Sequence, residues 1–276
     1  MSTLPCHIIW DPATGPFSIG NFEVRYYSLC WVIGLALGYL IMQHLYKKQK
    51  VSEQLFEPLF MYCFVGILLG ARLGHCLFYE PHYYLNHIWE MLLPIKTTAD
   101  GWRFIGYQGL ASHGGTIGLM LALFLYSRKT KLSFMWILDN IAITTPIVAT
   151  FIRLGNFMNS EILGRTTDSP LGIIFAQVDN IPRHPAQLYE AIAYLLIFIG
   201  GWFIYKKFPK RVGTGFYFGY CLATIFTFRF FVEFLKEVQS AFEEGMTLDM
   251  GQWLSIPFMI IGFACMWRGF RHKNPC

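Results

Sequence analysis

Seven runs of largely apolar residues dominate the chain, at about 27–46, 59–79, 110–126, 132–154, 188–205, 213–235 and 254–267. A helix needs about 20 such residues to cross the hydrocarbon core of a bilayer. The third run is the weakest, because Ser112, His113, Gly114 and Gly115 make its start polar, and the last is short unless it begins before Pro257. Composition agrees with the runs. Of the 276 residues 54% are hydrophobic and 14% charged, against ~25% charged in an ordinary soluble domain. The expected fold is an all-α polytopic membrane protein with about seven transmembrane helices, one integral membrane domain over residues 1–276. The seven cysteines show no CxxC spacing, so neither a zinc site nor a disulfide framework is indicated.

Basic residues orient such a chain. Lys47, Lys48 and Lys50 follow the first run, and Arg128, Lys129 and Lys131 separate the third from the fourth. Lys206, Lys207, Lys210 and Arg211 separate the fifth from the sixth, and Arg268, Arg271 and Lys273 close the chain. Thirteen of the 22 Lys and Arg thus lie on alternate connections, which the positive-inside rule makes cytoplasmic. The N-terminus is then expected outside and the C-terminus inside, which requires an odd number of spans. No cleavable signal peptide is expected, since the first basic residue is Arg25 and Pro5, Asp11, Pro12 and Pro16 interrupt the start. The first twenty-odd residues read as an irregular or short amphipathic leader.

Arg72, Arg153 and Arg229 fall within or at the ends of the apolar runs. An arginine at that depth costs ~2.5–3.5 kcal/mol on insertion scales and normally has a partner or faces water. His75, His113, Asn156, Asn159, Glu161 and Glu233 accompany them, and Arg229 and Glu233 have the i,i+4 spacing of a helical ion pair. Guanidinium groups match phosphate with planar, paired donors. No Walker A sequence or dinucleotide fingerprint appears, so the phosphate expected is a phospholipid headgroup. By the orientation above, Arg153 and Arg229 lie toward the outer ends of the fourth and sixth spans. The long connection 155–187 is expected to form a small extracytoplasmic head, with 171–176 as a strand. These features equally suit a transporter or flippase for an anionic solute or lipid, or a lipid-binding receptor. Transporters often carry internal repeats, and none is visible. No metal, cofactor or nucleic acid is expected, since the histidines lack a clustered ligand spacing.

The sequence Arg153-Leu154-Gly155-Asn156-Phe157-Met158-Asn159-Ser160-Glu161-Ile162-Leu163-Gly164-Arg165-Thr166 closely resembles the signature of the prolipoprotein diacylglyceryl transferase family. The likeness continues at Tyr26, Gly70-Ala71-Arg72-Leu73-Gly74, Ser112-His113-Gly114-Gly115 and His184-Pro185-Ala186-Gln187-Leu188-Tyr189-Glu190. Arg229-Phe230-Phe231-Val232-Glu233-Phe234 and Met250-Gly251-Gln252-Trp253-Leu254-Ser255-Ile256-Pro257 complete it, in order and at the expected spacing.

The resemblance implies a seven-span enzyme of the bacterial inner membrane, with an extracytoplasmic head. It implies phosphatidylglycerol as lipid donor and the lipobox cysteine of a prolipoprotein signal peptide as acceptor, in the first step of lipoprotein maturation. Carried over residue by residue, it makes His113 the essential histidine and Arg153 and Arg229 the phosphate-binding pair. Tyr26, Asn156, Glu161, Gly164, Glu233 and Arg72 join them as expected substrate-binding positions. Two departures stand out. Lys236-Glu237-Val238-Gln239 replaces the family's Arg-x-Pro-Asp, and Ile225 stands where a tyrosine is common.

Overall fold

The computed structural model describes residues 7–19, 22–93, 95–98, 101–104, 106, 109–237 and 247–271. Pro5, Val238, Gln239 and Lys273, on which parts of the sequence reading rest, lie outside them. The chain opens with strands β1 (Ile8–Trp10), β2 (Phe17–Ile19) and β3 (Phe22–Val24), then helices α1 (Tyr26–Lys48) and α2 (Glu53–Phe78). Short helices α3 (Pro81–Asn86) and α4 (Ile88–Leu92) lead to a hairpin of β4 (Ile95–Thr98) and β5 (Gly101–Phe104). Helices α5 (Ser112–Thr130) and α6 (Phe134–Met158) follow, then strands β6 (Ile173–Phe175) and β7 (Pro182–Arg183). Helices α7 (Ala186–Lys207), α8 (Phe216–Val232) and α9 (Met250–Arg271) end the order, with a 3-10 turn at Glu233–Leu235 extending α8.

Every apolar run of the sequence is helical. Among the described residues six helices are long and apolar enough to cross a membrane: α1, α2, α6, α7, α8 with its turn, and α9. Helix α5, the third run, is 19 residues long but begins Ser-His-Gly-Gly and ends on Arg128 and Lys129, which dilutes its apolar character. The result is a mostly helical, multi-pass membrane architecture.

The chain divides into two compact units, residues 43–137 and residues 1–42 with 138–276. In the first, α2 and α5 meet along a seam of small residues. A Cβ on Gly70 would lie 2.4 Å from the Gly114 carbonyl oxygen and 2.7 Å from the Gly118 Cα. Backbones approach that closely only where side chains are absent, as in small-xxx-small packing between membrane helices. Tyr46 and Tyr126 are fully buried at the far end of this unit, their hydroxyls 3.4 Å apart.

In the second unit α8 and α9 pack through Gly219 and Gly262, where a Cβ would meet backbone atoms of the other helix at 2.3 and 2.4 Å. Asp139 of α6, fully buried, accepts the backbone N–H groups of Gly213, Gly215 and Phe218 at 2.8–2.9 Å. It satisfies donors that a helix start leaves orphaned and suits the positive end of the α8 dipole.

The connection between α6 and α7, residues 159–185, is a small β-containing insertion, so the expected stretch 155–187 takes in the last turn of α6 and the start of α7. The expected strand at 171–176 is present as β6. Its parallel partner is β1, with Ile8 opposite Ile173 and Trp10 opposite Phe175, and β7 pairs antiparallel on its other side. The start of the chain, read from sequence as a leader, is thus a strand of the insertion. Trp10 stacks on Phe157 at 4.3 Å between ring centroids and donates its indole N–H to the Phe157 carbonyl at 3.1 Å. Phe157, Leu163, Ile173 and Phe175 form the insertion's core.

Candidate active site

Arg153, in the last turns of α6, is nearly buried. Its Nε lies 3.1 Å from Oε2 of Glu190 on α7, and its Nη1 donates to Asn156 Oδ1 at 3.3 Å. The Asn156 amide donates to Glu161 Oε1 at 2.7 Å, and the Gln187 amide donates to the Glu161 carbonyl at 2.6 Å. One chain of contacts therefore runs from the arginine into the insertion.

Glu190 is fully buried and holds three groups. Tyr194, one turn on, donates its hydroxyl to Oε1 at 2.9 Å. Oε2 lies between Arg153 and Lys236, whose Nζ is 3.3 Å away; these are ionic contacts more than aimed hydrogen bonds. Lys236 is itself buried, and its ammonium also donates to Glu233 Oε2 at 3.1 Å. Two cations and two carboxylates thus neutralise one another where each alone would be costly. Gly251 of α9 makes room for Glu233, since a Cβ there would lie 2.4 Å from the carboxylate.

Arg229, in the last turn of α8, is half-buried and forms no side-chain hydrogen bond or ion pair with any described residue. It stands one turn before Glu233, whose carboxylate is linked through Lys236 and Glu190 to Arg153, so Arg229 lies at the edge of the same cluster. The i,i+4 pair expected between Arg229 and Glu233 is not formed among the described residues. The helix passes into a 3-10 turn at Glu233, and the carboxylate turns to Lys236 instead.

The insertion is sewn to the end of α8 beside this cluster. Gly164 N–H donates to the His184 carbonyl at 3.0 Å, Arg165 N–H to the Leu235 carbonyl at 2.8 Å, and Arg165 Nε to the Lys236 carbonyl at 2.8 Å. Gly164 has no space for a side chain: a Cβ would lie 2.4 Å from the His184 carbonyl oxygen and 2.7 Å from that of Leu235. Arg183 grips Asp179 at 2.6 Å and Glu237 at 2.9 Å. The Arg183 hydrogen bond holds the Asp179 carboxyl below its ordinary value, and the same contact raises the guanidinium. Ser160 and Ile162, flanking Glu161, have φ of 52° and 60°. A β-branched residue in the left-handed region is strained by about 1–3 kcal/mol, and the bonds of the Glu161 backbone to the Asn156 carbonyl and the Gln187 amide hold the chain in that shape.

Tyr26 is the half-buried first residue of α1, anchored by its backbone N–H to the Thr14 carbonyl at 3.1 Å. His113 and Arg72 belong to the unit 43–137. His113 is the exposed second residue of α5, without a hydrogen-bond partner among the described residues. Gly114, next to it, is packed on α2. Arg72 is buried, donates to the Glu90 and Met91 carbonyls at 2.6 and 3.3 Å, and lies 4.8 Å from the Tyr84 ring centroid. Sequence reading gave Glu190, Tyr194 and Lys236 no role, though Glu190 closes a recognised motif and Lys236 opens a departure. Among the described residues no group of three or more His, Cys, Asp or Glu could hold a metal ion.

The family model for prolipoprotein diacylglyceryl transferase matches residues 15–268, nearly the whole chain. The chain belongs to that family. It is similar to the phosphatidylglycerol–prolipoprotein diacylglyceryl transferase of Bacteroides fragilis, 57% identical over 267 residues that cover 96% of each chain. A protein of the same name from Porphyromonas gingivalis is 41% identical over 99% of this chain and 98% of its own. One from Tolumonas auensis is 39% identical over 96% and 99%. Membership makes the chain a transferase of lipoprotein biosynthesis and, with its apolar helices, a multi-pass bacterial membrane protein.

Proposed function

We propose that this protein transfers the diacylglyceryl group of phosphatidylglycerol to the lipobox cysteine of prolipoproteins, releasing glycerol phosphate. The observation that carries the reading is Arg229. In a chain of this family, a guanidinium with no side-chain hydrogen bond or ion pair among the described residues stands one turn before Glu233, which Lys236 and Glu190 link to Arg153, and its open donors suit a lipid phosphate. A groove of about 440 Å³ beside it, lined by Tyr189, Ile192, Leu196, Phe228, Phe231 and Leu235, suits an acyl chain.

The thiolate attacks the glycerol carbon that bears the phosphate ester. A C–S bond forms, the C–O bond breaks, and its electron pair leaves on glycerol phosphate. Arg153 and Arg229 bind the phosphate and stabilise the charge that grows there. A free thiol has pKa ~8.5 and reacts as the thiolate, so a base must take its proton. His113, the histidine that the resemblance makes essential, is our candidate for that base. Tyr26, Asn156, Glu161, Gly164 and Glu233 shape the site, and the contacts of Arg72 favour a scaffolding part. No cofactor or metal enters the step.

The whole chain acts as one membrane transferase domain in the inner membrane, with seven spans when α5 is counted. Its N-terminus is extracytoplasmic and its C-terminus cytoplasmic, and residues 155–187 are an extracytoplasmic head that receives the signal peptide. A reporter fused near Pro170 should read out as extracytoplasmic; a cytoplasmic signal would reverse the orientation. The activity is tested by incubating purified protein with phosphatidylglycerol and a lipobox peptide. The peptide should gain the mass of one diacylglyceryl group, and a peptide with serine for the cysteine should not.

A further inference from the structure

The segment after α2, residues 81–104, has inverted amphipathicity. On α4 Glu90 faces in beside Met91, and the larger apolar residues face out: Glu90 is 3% exposed, while Trp89 is 74% and Ile88 58% exposed. The inside joins a small apolar core of Cys76, Tyr84 and Met91 to a polar lattice. Tyr83 donates its hydroxyl to Glu90 Oε2 at 2.7 Å, the Thr97 N–H donates to Oε1 at 2.8 Å, and Arg72 holds the Glu90 carbonyl. Those bonds fix the arm in shape, so its outer apolar side chains cannot fold under it.

The hairpin that follows is exposed on both faces. Its register sets Ile95 opposite Phe104, Lys96 opposite Arg103 and Thr97 opposite Trp102. Side chains alternate between faces along a strand, so Trp102 and Phe104, 73% and 69% exposed, share one face and Lys96 and Arg103 the other. Like charges placed directly across a ladder repel, and neither cation forms an ion pair with any described residue. In water such an arm would be built the wrong way round. At a bilayer surface it is built correctly, because Trp and Tyr favour the boundary between acyl chains and headgroups while Lys and Arg extend to the phosphates. The arm is placed there by the chain itself: α2, one of the six long apolar helices, ends at Phe78, only three residues earlier.

We propose that residues 81–104 are an interfacial anchor that lies on an anionic phospholipid surface where α2 leaves the membrane. Ile88, Trp89, Trp102 and Phe104 enter the boundary layer, and Lys96 and Arg103 meet lipid phosphates. The inference rests on the membrane architecture and not on the transfer reaction.

Tryptophan quenching tests it on the full chain, reconstituted in phosphatidylcholine vesicles with or without phosphatidylglycerol. Subtracting the signals of Trp89→Phe and Trp102→Phe from the unaltered protein isolates each indole, and phenylalanine keeps the site apolar so that folding is preserved. Both should be quenched several-fold more by lipids brominated near the carbonyls than by aqueous acrylamide. Free access to acrylamide without bromine quenching would overturn the proposal. Protection from both quenchers would also overturn it, since a protein partner or second copy would then cover the arm. Adding phosphatidylglycerol should shift Trp102 emission to the blue, and Lys96→Gln/Arg103→Gln should abolish that shift. An equal shift in the double variant would overturn the role given to the cations.

Discussion

Glu190→Gln should weaken the fold in a way that Lys236→Met partly corrects. The carboxylate is fully buried between Arg153 at 3.1 Å and Lys236 at 3.3 Å, and Lys236 also contacts Glu233 at 3.1 Å. Glutamine keeps the shape but leaves two buried cations to share one carboxylate. Breaking a buried ion pair costs about 3–5 kcal/mol. Because Glu233 still neutralises one cation, the expected loss lies near the lower end, about 3 kcal/mol. Lys236→Met alone leaves the opposite imbalance, two carboxylates against Arg153. The double variant restores neutrality, and its loss should fall short of the summed single losses by about 1–3 kcal/mol, the range for directly coupled residues. The assay is unfolding of the purified protein in mixed micelles, followed by far-ultraviolet circular dichroism. Additivity within about 0.5 kcal/mol would refute the reasoning, because the groups would then not act as one neutral cluster.

Gly164→Ala should cost about 1–3 kcal/mol and most of the activity, since its Cβ would strike two backbone carbonyls; unchanged thermal stability in detergent would contradict this. The Asp179–Arg183 contact should stabilise the insertion above the ordinary carboxyl range and be lost as pH falls through the depressed value of Asp179. Asp179→Asn should therefore flatten the acid limb of a stability–pH curve, and an unaltered limb would remove the contact's role. His113→Gln should still bind phosphatidylglycerol yet transfer poorly near neutral pH. Part of the rate should return as pH rises through the thiol's pKa of ~8.5, whereas lost lipid binding would make the histidine a headgroup ligand.

Helix positions were legible in the sequence because crossing a bilayer demands a length of apolar residues that is read locally. The polar residues of the insertion were legible for a related reason: Arg153, Asn156 and Glu161 are close in sequence and meet through short bonds. What escaped was non-local. The pairing of Ile8 with Ile173 joins residues far apart in the chain, and a three-residue strand has no period to announce it. Glu190 and Lys236 meet only through the register of α7 against the end of α8. The expected Arg229–Glu233 pair had the right spacing, since the Glu233 N–H still bonds to the Arg229 carbonyl, but the carboxylate is taken by Lys236, three residues on.

The central claim is that Arg153 and Arg229 together hold the lipid phosphate, and its most direct test is the diacylglyceryl adduct formed by variants at those two positions. Arg153→Ala and Arg229→Ala, checked as folded in detergent, should each form little or no adduct at saturating phosphatidylglycerol. Lysine at either position should restore transfer only in part, because an ammonium lacks the planar paired donors. Full transfer by Arg229→Ala, or by Arg153→Lys, would contradict the account.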